Sequence, residues 1–218
     1  YKKTYSKLMD SGLYGLLQFE HLIIPHKEAY YNGQLVIEPE IVNLISYPYE
    51  WSFSQLKAAA LATLRINDLA LRSGLILKDA SAFNMQYYGG NWLLIDTGSF
   101  DIYKDGQVWG AYGQFLRHFL CPLVLASYGN KQALKTLMVN IDGLSVAEYS
   151  KMLPIRSWFT LTNLLNIHSH RFAGKPTNRT YTMSKFQLLA LMGSLKSAVE
   201  KLIYNTKSEW VEYPESTE

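Results

Sequence analysis

Apolar residues recur at helical spacing over one long stretch near the middle of the chain, residues 53–71. Ser52 or Ser54 can cap the start of this helix, and Gly74 can end it. Its apolar positions fall on two sides, with Leu56, Ala60, Leu64 and Leu71 on one and Ala59, Ala62, Ile66, Leu69 and Ala70 on another. A helix that is apolar on both sides is expected to be buried.

The spacing of apolar residues changes directly after this helix. Residues 75–79 make a short apolar step into a polar loop, and Met85–Tyr88 and residues 92–95 predict two short strands. The Gly-Gly-Asn sequence at residues 89–91 tolerates the positive φ of a tight hairpin. Asp96 therefore falls where the second strand ends.

The flanking regions predict smaller elements. In residues 1–48 we expect a small mixed region with strands at 22–24, 35–37 and 41–45 and a turn at Asn32-Gly33. After Asp96 the pattern predicts helices at residues 110–128, 130–139, 145–152 and 156–166.

The C-terminal part predicts one amphipathic helix. It begins after Ser184, and its apolar face carries Leu188, Met192, Leu195, Val199 and Leu202. Residues 171–182 before it contain Gly and Pro and predict a loop or linker, and the polar residues 207–218 predict a tail or a linker to a further domain. We therefore expect a reduced N-terminal lobe at 1–48, a helical lobe at 49–206 and a tail at 207–218.

The composition narrows the class of protein. The chain has 218 residues, of which 48% are hydrophobic, enough to bury a substantial core. Its net charge of +3 is spread without a dense basic run, which argues against a nucleic-acid partner. Cys121 is the single cysteine, so a disulfide framework is excluded and a cytoplasmic location is expected. No apolar run has the length of a membrane span, and a start at Tyr1 rather than Met predicts a fragment of a longer protein.

Three polar residues stand out near the hairpin: Asp79, Asn84 five residues later, and Asp96. An acid can accept the proton of an attacking hydroxyl, and an amide with a second acid can hold Mg²⁺ against phosphates. The sequence therefore predicts a phosphotransferase site with Asp79 as catalytic base and Asn84 and Asp96 as metal ligands. The alternative is that these residues only cap local backbone, as Asp and Asn often do.

The order of buried helix, polar loop, hairpin and acid resembles the large lobe of the protein-kinase-like superfamily, which includes aminoglycoside and choline phosphotransferases. By this resemblance, Asp79 matches the catalytic-loop Asp, Asn84 the metal-binding Asn, and Asp96 the acid of the D-F-G motif. The match covers roughly residues 50–125. It implies an α+β, protein-kinase-like fold with a helical large lobe and a reduced β-containing N-terminal lobe, Mg²⁺ and ATP as cofactors, and a small hydroxylated molecule or glycan as substrate.

The chain departs from the kinase pattern in its phosphate-binding parts. The kinase His-Arg-Asp triplet is Leu77-Lys78-Asp79 here, and no Gly-rich phosphate loop precedes the long helix. Lys27 and Lys78 are the candidates for contacting ATP phosphates, although Pro25 and His26 suggest a loop rather than a strand around Lys27. An inactive kinase-like binding or scaffold domain is therefore the alternative to a phosphotransferase.

A second resemblance rests on longer strings: ISYPYEWSFSQLK (residues 45–57), LKDASAFN (77–84), IDTGSF (95–100) and QFLRHFL (114–120). These are similar to the N-terminal region of a bacterial family, the NoeA-type nodulation proteins, in which this region precedes a class I SAM-dependent methyltransferase domain. The resemblance implies a C-terminal methyltransferase domain as partner, beyond residue 218. We expect no SAM site within the chain itself, because no Gly-rich loop follows a strand with an acid beyond it.

The histidines and one aromatic cluster carry weaker signals. His168 and His170 could hold a metal if they lie on a strand, but no acid or cysteine lies close by in sequence to complete a site. His118, on an apolar helix, predicts a buried and hydrogen-bonded core residue. Residues 47–51, rich in Tyr and Trp, predict a connector between lobes or, alternatively, a stacking platform for a ring.

Overall fold

The computed structural model describes residues 2–171 and 181–204, which form an α+β arrangement dominated by helices. The predicted linker at 171–182 lies mostly outside these residues, and the predicted tail at 207–218 lies wholly outside them. The helices are α1 (Lys2–Asp10), α2 (Leu13–Phe19), α3 (Phe53–Arg72), α4 (Tyr112–Phe115), α5 (Cys121–Ser127), α6 (Thr136–Val139), α7 (Val146–Met152), α8 (Leu161–Asn166) and α9 (Lys185–Glu200). The strands are β1 (His26–Tyr31), β2 (Gln34–Pro39), β3 (Leu75–Leu77), β4 (Met85–Tyr88), β5 (Asn91–Leu94) and β6 (Phe100–Ile102).

Helix α3 forms the centre of the molecule, as its two apolar sides predict. The Ser52 hydroxyl accepts a hydrogen bond from the Gln55 backbone N–H, and the Gln55 side chain accepts one from the Ser52 backbone, which is a capping box. The helix ends before Gly74, whose φ of 78° is costly for residues with a Cβ. Because α3 is buried along both sides, it packs against α9 and carries β3 at its C-terminal end.

The strands pair two by two and antiparallel: β1 with β2, β3 with β6, and β4 with β5. The predicted hairpin is the β4–β5 pair, in which Gly89 and Gly90 have φ values of 58° and 87°. The β3–β6 pair joins Leu77 to Phe100 and so brings the start of the polar loop beside the segment that follows Asp96. This pairing positions the candidate site.

The N-terminal region differs from its prediction. The helices α1 and α2 were not predicted, and their buried Leu8, Leu13 and Leu17 belong to the main core. Two predicted strands are wrong: residues 22–24 make only an isolated bridge from Ile23 to Leu94, and residues 41–45 form no strand. The backbone around Ile23 is nevertheless anchored, because Ile24 N–H donates to the Leu94 carbonyl and Leu94 N–H donates to the Leu22 carbonyl.

The predicted helix at 110–128 is present but contains a wider turn. Between α4 and α5, residues Leu116–Leu120 form a π-helical segment, and Pro122 lies in the first turn of α5. Proline lacks the N–H that an α-helix would bond four residues back, so the local loss of α-helical hydrogen bonding has a cause in the sequence. The segment carries His118 toward the polar loop.

Among the residues that the structure describes, no helix is both long and apolar enough to cross a bilayer.

Candidate functional site

The predicted metal ligands Asn84 and Asp96 are joined through one hydroxyl group, that of Ser99. The Asn84 side-chain amide donates to Ser99 Oγ at 3.1 Å, and Ser99 Oγ donates to Asp96 Oδ2 at 2.8 Å. The other carboxylate oxygen, Oδ1, accepts the Gly98 backbone N–H at 2.7 Å. Asn84 and Asp96 are therefore held in one hydrogen-bonded chain rather than facing separate surfaces.

Asp79 meets the same residue through its backbone. The backbone N–H groups of Lys78 and Asp79 lie 2.8 and 3.4 Å from the Ser99 carbonyl oxygen, an extension of the β3–β6 pairing. Asp79 Oδ1 also accepts the Ser81 backbone N–H at 2.9 Å, the local cap that was the alternative interpretation of this residue. This cap uses only one oxygen of the Asp79 carboxylate, so the other oxygen is left to accept a proton as a base would.

The polar loop at residues 78–84 is held by side chains from three distant parts of the chain. Asn67 Oδ1, in buried α3, accepts the Leu77 N–H at 2.8 Å, and Trp109 Nε1 donates to the Leu77 carbonyl at 2.7 Å. Gln114 Oε1 accepts the Ala80 N–H at 2.7 Å. Together with His118, these side chains hold the loop and Leu77, the residue directly before it, and none of them was predicted as part of the site.

His118 supports the loop in its neutral form. Its Nδ1 accepts the Ala82 N–H at 3.3 Å, which places the ring proton of the neutral side chain on Nε2. Burial, helped by the charge of Arg117, lowers the pKa of His118 to about 4, while Asp142 and Asp79 act in the opposite direction. The prediction of a buried, hydrogen-bonded histidine agrees with this position, and the contact adds a role in holding the loop.

The two candidate lysines lie in different surroundings. Lys78 is exposed and lines a small cavity with Thr97 and Gly98, beside Asp96. Lys27 lies on β1, not in the loop that Pro25 and His26 suggested, and its cross-strand partner is Glu38. Because alternate residues of a strand point to opposite faces, Lys27 faces away from the hairpin face that carries His26 and Glu28 and contacts α1. Lys78 alone is therefore adjacent to the acidic residues.

Two of the cavities lined by α1 share the Tyr5 side chain. The cavity beside Asp96 has a volume of about 90 Å³ and is lined by Thr4, Tyr5, Leu8, Lys78, Thr97, Gly98 and Phe100. A second cavity of about 420 Å³ lies between α1 and the β1–β2 hairpin. Typical small-molecule pockets measure about 300–1,000 Å³, so only the second has the size of a nucleotide base or a similar ring.

The donor set at Asn84 and Asp96 fits a hard divalent cation. The amide nitrogen of Asn84 is committed to Ser99, so its amide oxygen is the atom that could bind a metal, and each Asp96 oxygen retains a further lone pair. Within the described ranges, no group of three or more His, Cys, Asp or Glu side chains could hold a metal ion. Mg²⁺ at this place would therefore complete its shell with water or with oxygens of a ligand, as it commonly does.

Two other candidates resolve into structural roles. His168 is fully buried, with its ring nitrogens 2.8 and 2.9 Å from the hydroxyls of Ser150 and Ser157, so neither nitrogen is left for a metal. Its ring also stacks on Trp158 at 4.0 Å. Burial raises the pKa of the Cys121 thiol far above its usual range, which agrees with a core cysteine rather than a nucleophile.

Sequence comparison adds one relative. The nodulation protein NoeA of Rhizobium meliloti (strain 1021) is 39% identical over 125 residues, 57% of this chain. The chain is similar to NoeA over this stretch. The match spans 26% of NoeA, about a quarter of that protein's length, and the name NoeA specifies no reaction. The chain matches no protein-family model and no solved structure.

Proposed function

We propose that this chain is a kinase-like domain with a Mg²⁺-dependent phosphotransferase site that acts on a small hydroxylated molecule or glycan. The observation that carries the proposal is the Ser99 hydroxyl, which joins the Asn84 amide to the Asp96 carboxylate. The backbone nitrogen of Asp79 lies 3.4 Å from the carbonyl oxygen of the same residue. Phosphoryl transfer requires one acid as the base and an amide with a second acid to hold the metal, and these are the residue types found here.

In this proposal Asp79 orients the acceptor hydroxyl and takes its proton, while Asn84 and Asp96 hold the cation. When bound, Mg²⁺ would neutralise negative charge on the phosphoryl group being transferred. Lys78, beside Gly98, is placed to contact phosphate oxygens. Asn67, Gln114 and His118 keep the loop fixed, which preserves the spacing between base and metal ligands.

A second candidate is a kinase-like binding or scaffold domain without turnover. It is favoured by the volume of about 90 Å³ beside Asp96, which is too small for a nucleotide, and by the position of Lys27 on the outer face of the hairpin. The same residues would then hold a metal or a small anion as a ligand rather than as a reactant.

We also propose that the domain works as the N-terminal part of a longer, nodulation-type protein with a methyltransferase domain beyond residue 218. The match spans only a quarter of NoeA, which supports a longer protein; the position before a methyltransferase domain is what the resemblance to the NoeA-type family implies. Methyl transfer would belong to the following domain, because the sequence of this chain has no Gly-rich SAM-binding loop.

The test is calorimetric titration of the purified chain with Mn²⁺, then with Mg²⁺ and ATP. We expect Mn²⁺ to bind the wild type and to lose its affinity in Asp96→Asn, whereas Asp101→Asn, which removes an exposed carboxylate in β6, should bind like the wild type. Phosphate release or transfer with Mg-ATP would support the phosphotransferase, and binding without turnover would support the scaffold. If neither Mn²⁺ nor nucleotide binds at millimolar concentration, the phosphotransferase proposal fails and the scaffold domain is the interpretation that stands.

A further inference from the structure

Helix α1 lies across a small cavity from Thr97 and Gly98, the two residues that follow Asp96, and one of its residues borders two cavities. Tyr5 lines the small cavity beside Asp96 together with Thr4 and Leu8, and it also lines the larger cavity at the β1–β2 hairpin. No other residue in the described part of the chain lines both cavities. The Tyr5 side chain therefore lies at the boundary between the two spaces.

Hydrogen bonds hold Tyr5 in this position. Its hydroxyl donates to Glu28 Oε1 at 2.8 Å and lies 2.7 Å from His26 Nε2, both on the inner face of β1. Its ring centroid lies 5.7 Å from that of His26, and the side chain is only 6% exposed. Since Glu28 takes the Tyr5 proton, His26 Nε2 donates to the same hydroxyl oxygen. Both contacts are to side chains of the β1–β2 hairpin, and neither involves α3 or the polar loop.

The two cavities differ in chemistry. The hairpin cavity is lined by apolar and aromatic side chains, among them Tyr30, Leu35 and Ile37. The small cavity offers the Lys78 side chain and the Thr97–Gly98 segment next to Asp96. A flat ring suits the first surface, and a phosphate group suits the second. A molecule with a ring at one end and a diphosphate at the other matches both, but Tyr5 lies between.

We propose that Tyr5 is the specificity-determining residue of this site. While Tyr5 is hydrogen-bonded to His26 and Glu28, the site at Asn84 and Asp96 accepts only a divalent cation with a small anion such as pyrophosphate. With Tyr5 displaced, the cavities join and the site accepts a nucleoside diphosphate, whose base enters the hairpin cavity. This inference rests on the proposed function, because it assumes that Asn84 and Asp96 bind a cation and its phosphate ligand.

A ring-bearing ligand binds more weakly than its contacts allow, because Tyr5 has to be displaced before it can bind. The apparent affinity of a ligand falls by the fraction of protein in the competent state, so a Tyr5 that is displaced only about a tenth of the time or less costs about tenfold or more in affinity. A ligand that does not need the displacement loses nothing. The two kinds of ligand therefore respond differently to a substitution at Tyr5.

The experiment compares the wild type with Tyr5→Ala, Tyr5→Phe and a control, Tyr31→Ala. Tyr31 is an exposed tyrosine at the end of β1, the strand that carries His26 and Glu28, and it faces away from Tyr5. Mn²⁺, Mg-pyrophosphate and Mg-ADP are titrated into each variant by calorimetry, and thermal unfolding establishes that each is folded. Tyr5→Phe keeps the ring and loses the bonds to His26 and Glu28, so it tests the hypothesis even if the Ala variant does not fold.

We expect Tyr5→Ala to bind Mg-ADP about tenfold or more tightly than the wild type, and Tyr5→Phe to gain about threefold, because weaker anchoring raises the displaced fraction. The affinities for pyrophosphate and Mn²⁺ should stay within about twofold in all variants, because neither ligand needs Tyr5 to be displaced. Tyr31→Ala should match the wild type for every ligand, because Tyr31 faces away from Tyr5. Unchanged ADP affinity in the Tyr5 variants would overturn the inference, as would an equal gain for pyrophosphate or an absence of ADP binding where pyrophosphate binds. Absence of Mn²⁺ and pyrophosphate binding from every variant would instead refute the proposed function and this inference with it.

Discussion

Gly98 and Asp96 lie so close that the glycine leaves no room for a side chain. The Gly98 N–H donates to Asp96 Oδ1 at 2.7 Å, and a Cβ added to Gly98 would lie 2.9 Å from the same oxygen. Contacts this short between Cβ and oxygen do not persist, so one of the two groups would have to move. The carboxylate is the flexible partner.

We therefore expect Gly98→Ala to rotate the Asp96 carboxylate away from Ser99 while leaving the fold nearly as stable. The affinity for Mn²⁺ should fall by about tenfold, equivalent to about 1.4 kcal/mol, and the midpoint of thermal unfolding should change little. Gly110→Ala is the matched control, because an added Cβ there meets nothing within 4 Å. Equal Mn²⁺ affinity in both variants would show that the orientation of the Asp96 carboxylate does not affect metal binding.

The roles of the two acids separate in kinetic measurements. Asp96→Asn should abolish metal-dependent binding and turnover together, because it removes charge from the cation site. Asp79→Asn should preserve binding and lower the rate constant by about 10²–10⁴, the usual range for a general base. The measurement is turnover with Mg-ATP beside calorimetric binding. A wild-type rate in Asp79→Asn would reduce this residue to the cap of Ser81.

The buried His118 predicts a stability loss in mild acid. The folded protein lowers the pKa of this residue from 6.5 to about 4, so its contribution is complete above pH 6.5 and is lost as the pH falls toward 4. Asn can offer an acceptor to the Ala82 N–H without titrating, so His118→Asn should show a flatter dependence of the free energy of unfolding on pH between 6.5 and 4. Part of the slope should remain, because burial also lowers the pKa values of His26 and His170.

Urea denaturation at several pH values measures this slope. His21→Asn serves as the control, since His21 is exposed and its φ of 53° is one that asparagine tolerates. An identical pH dependence in His118→Asn and the wild type would exclude a neutral His118 as the cause.

The contact from Asn67 to the loop should be costly to remove. Asn67→Leu leaves the buried Leu77 N–H without its acceptor, which should lower the free energy of unfolding by about 1–3 kcal/mol. Thr63→Val is the control, because the buried hydroxyl that it removes donates to the Ala59 carbonyl, which keeps its hydrogen bond within the same helix. Urea denaturation compares the two. A loss no larger than that of Thr63→Val would mean that water or a shifted backbone satisfies Leu77.

The parts of the fold that were predicted correctly are those with strong local signals. Helix α3 has a capping serine, two apolar sides and a glycine stop, and the β4–β5 hairpin has two glycines at its turn. Helices α1 and α2 were missed because they are short and are stabilised by burial of Leu8, Leu13 and Leu17 in the core. Residues 22–24 are apolar, as a strand would be, but in the folded chain they make only a single bridge, from Ile23 to Leu94.

The sequence singles out the candidate residues of the site but not the residues that hold them in place. Asp79, Asn84 and Asp96 stand out because their spacing follows a known pattern. Ser99 joins two of them only because β6 pairs with β3, and Asn67 reaches the loop only after α3 is buried; both depend on contacts that local sequence does not specify. A polar residue on the side of α3 that also carries Ala60, Leu64 and Leu71 was the signal available for Asn67.

The hydrogen bonds between Leu94 and the segment at Leu22 and Ile24 bear on how this chain can be divided. Both backbone groups of Leu94, which is buried, find their partners in the first 48 residues. A fragment beginning at Tyr49 would leave these two groups unpaired at the strand that leads into Asp96, and it would strip α1 and α2 from the core. Grafting the first 48 residues of a relative onto this chain would therefore have to preserve one backbone register, whatever side chains it brought.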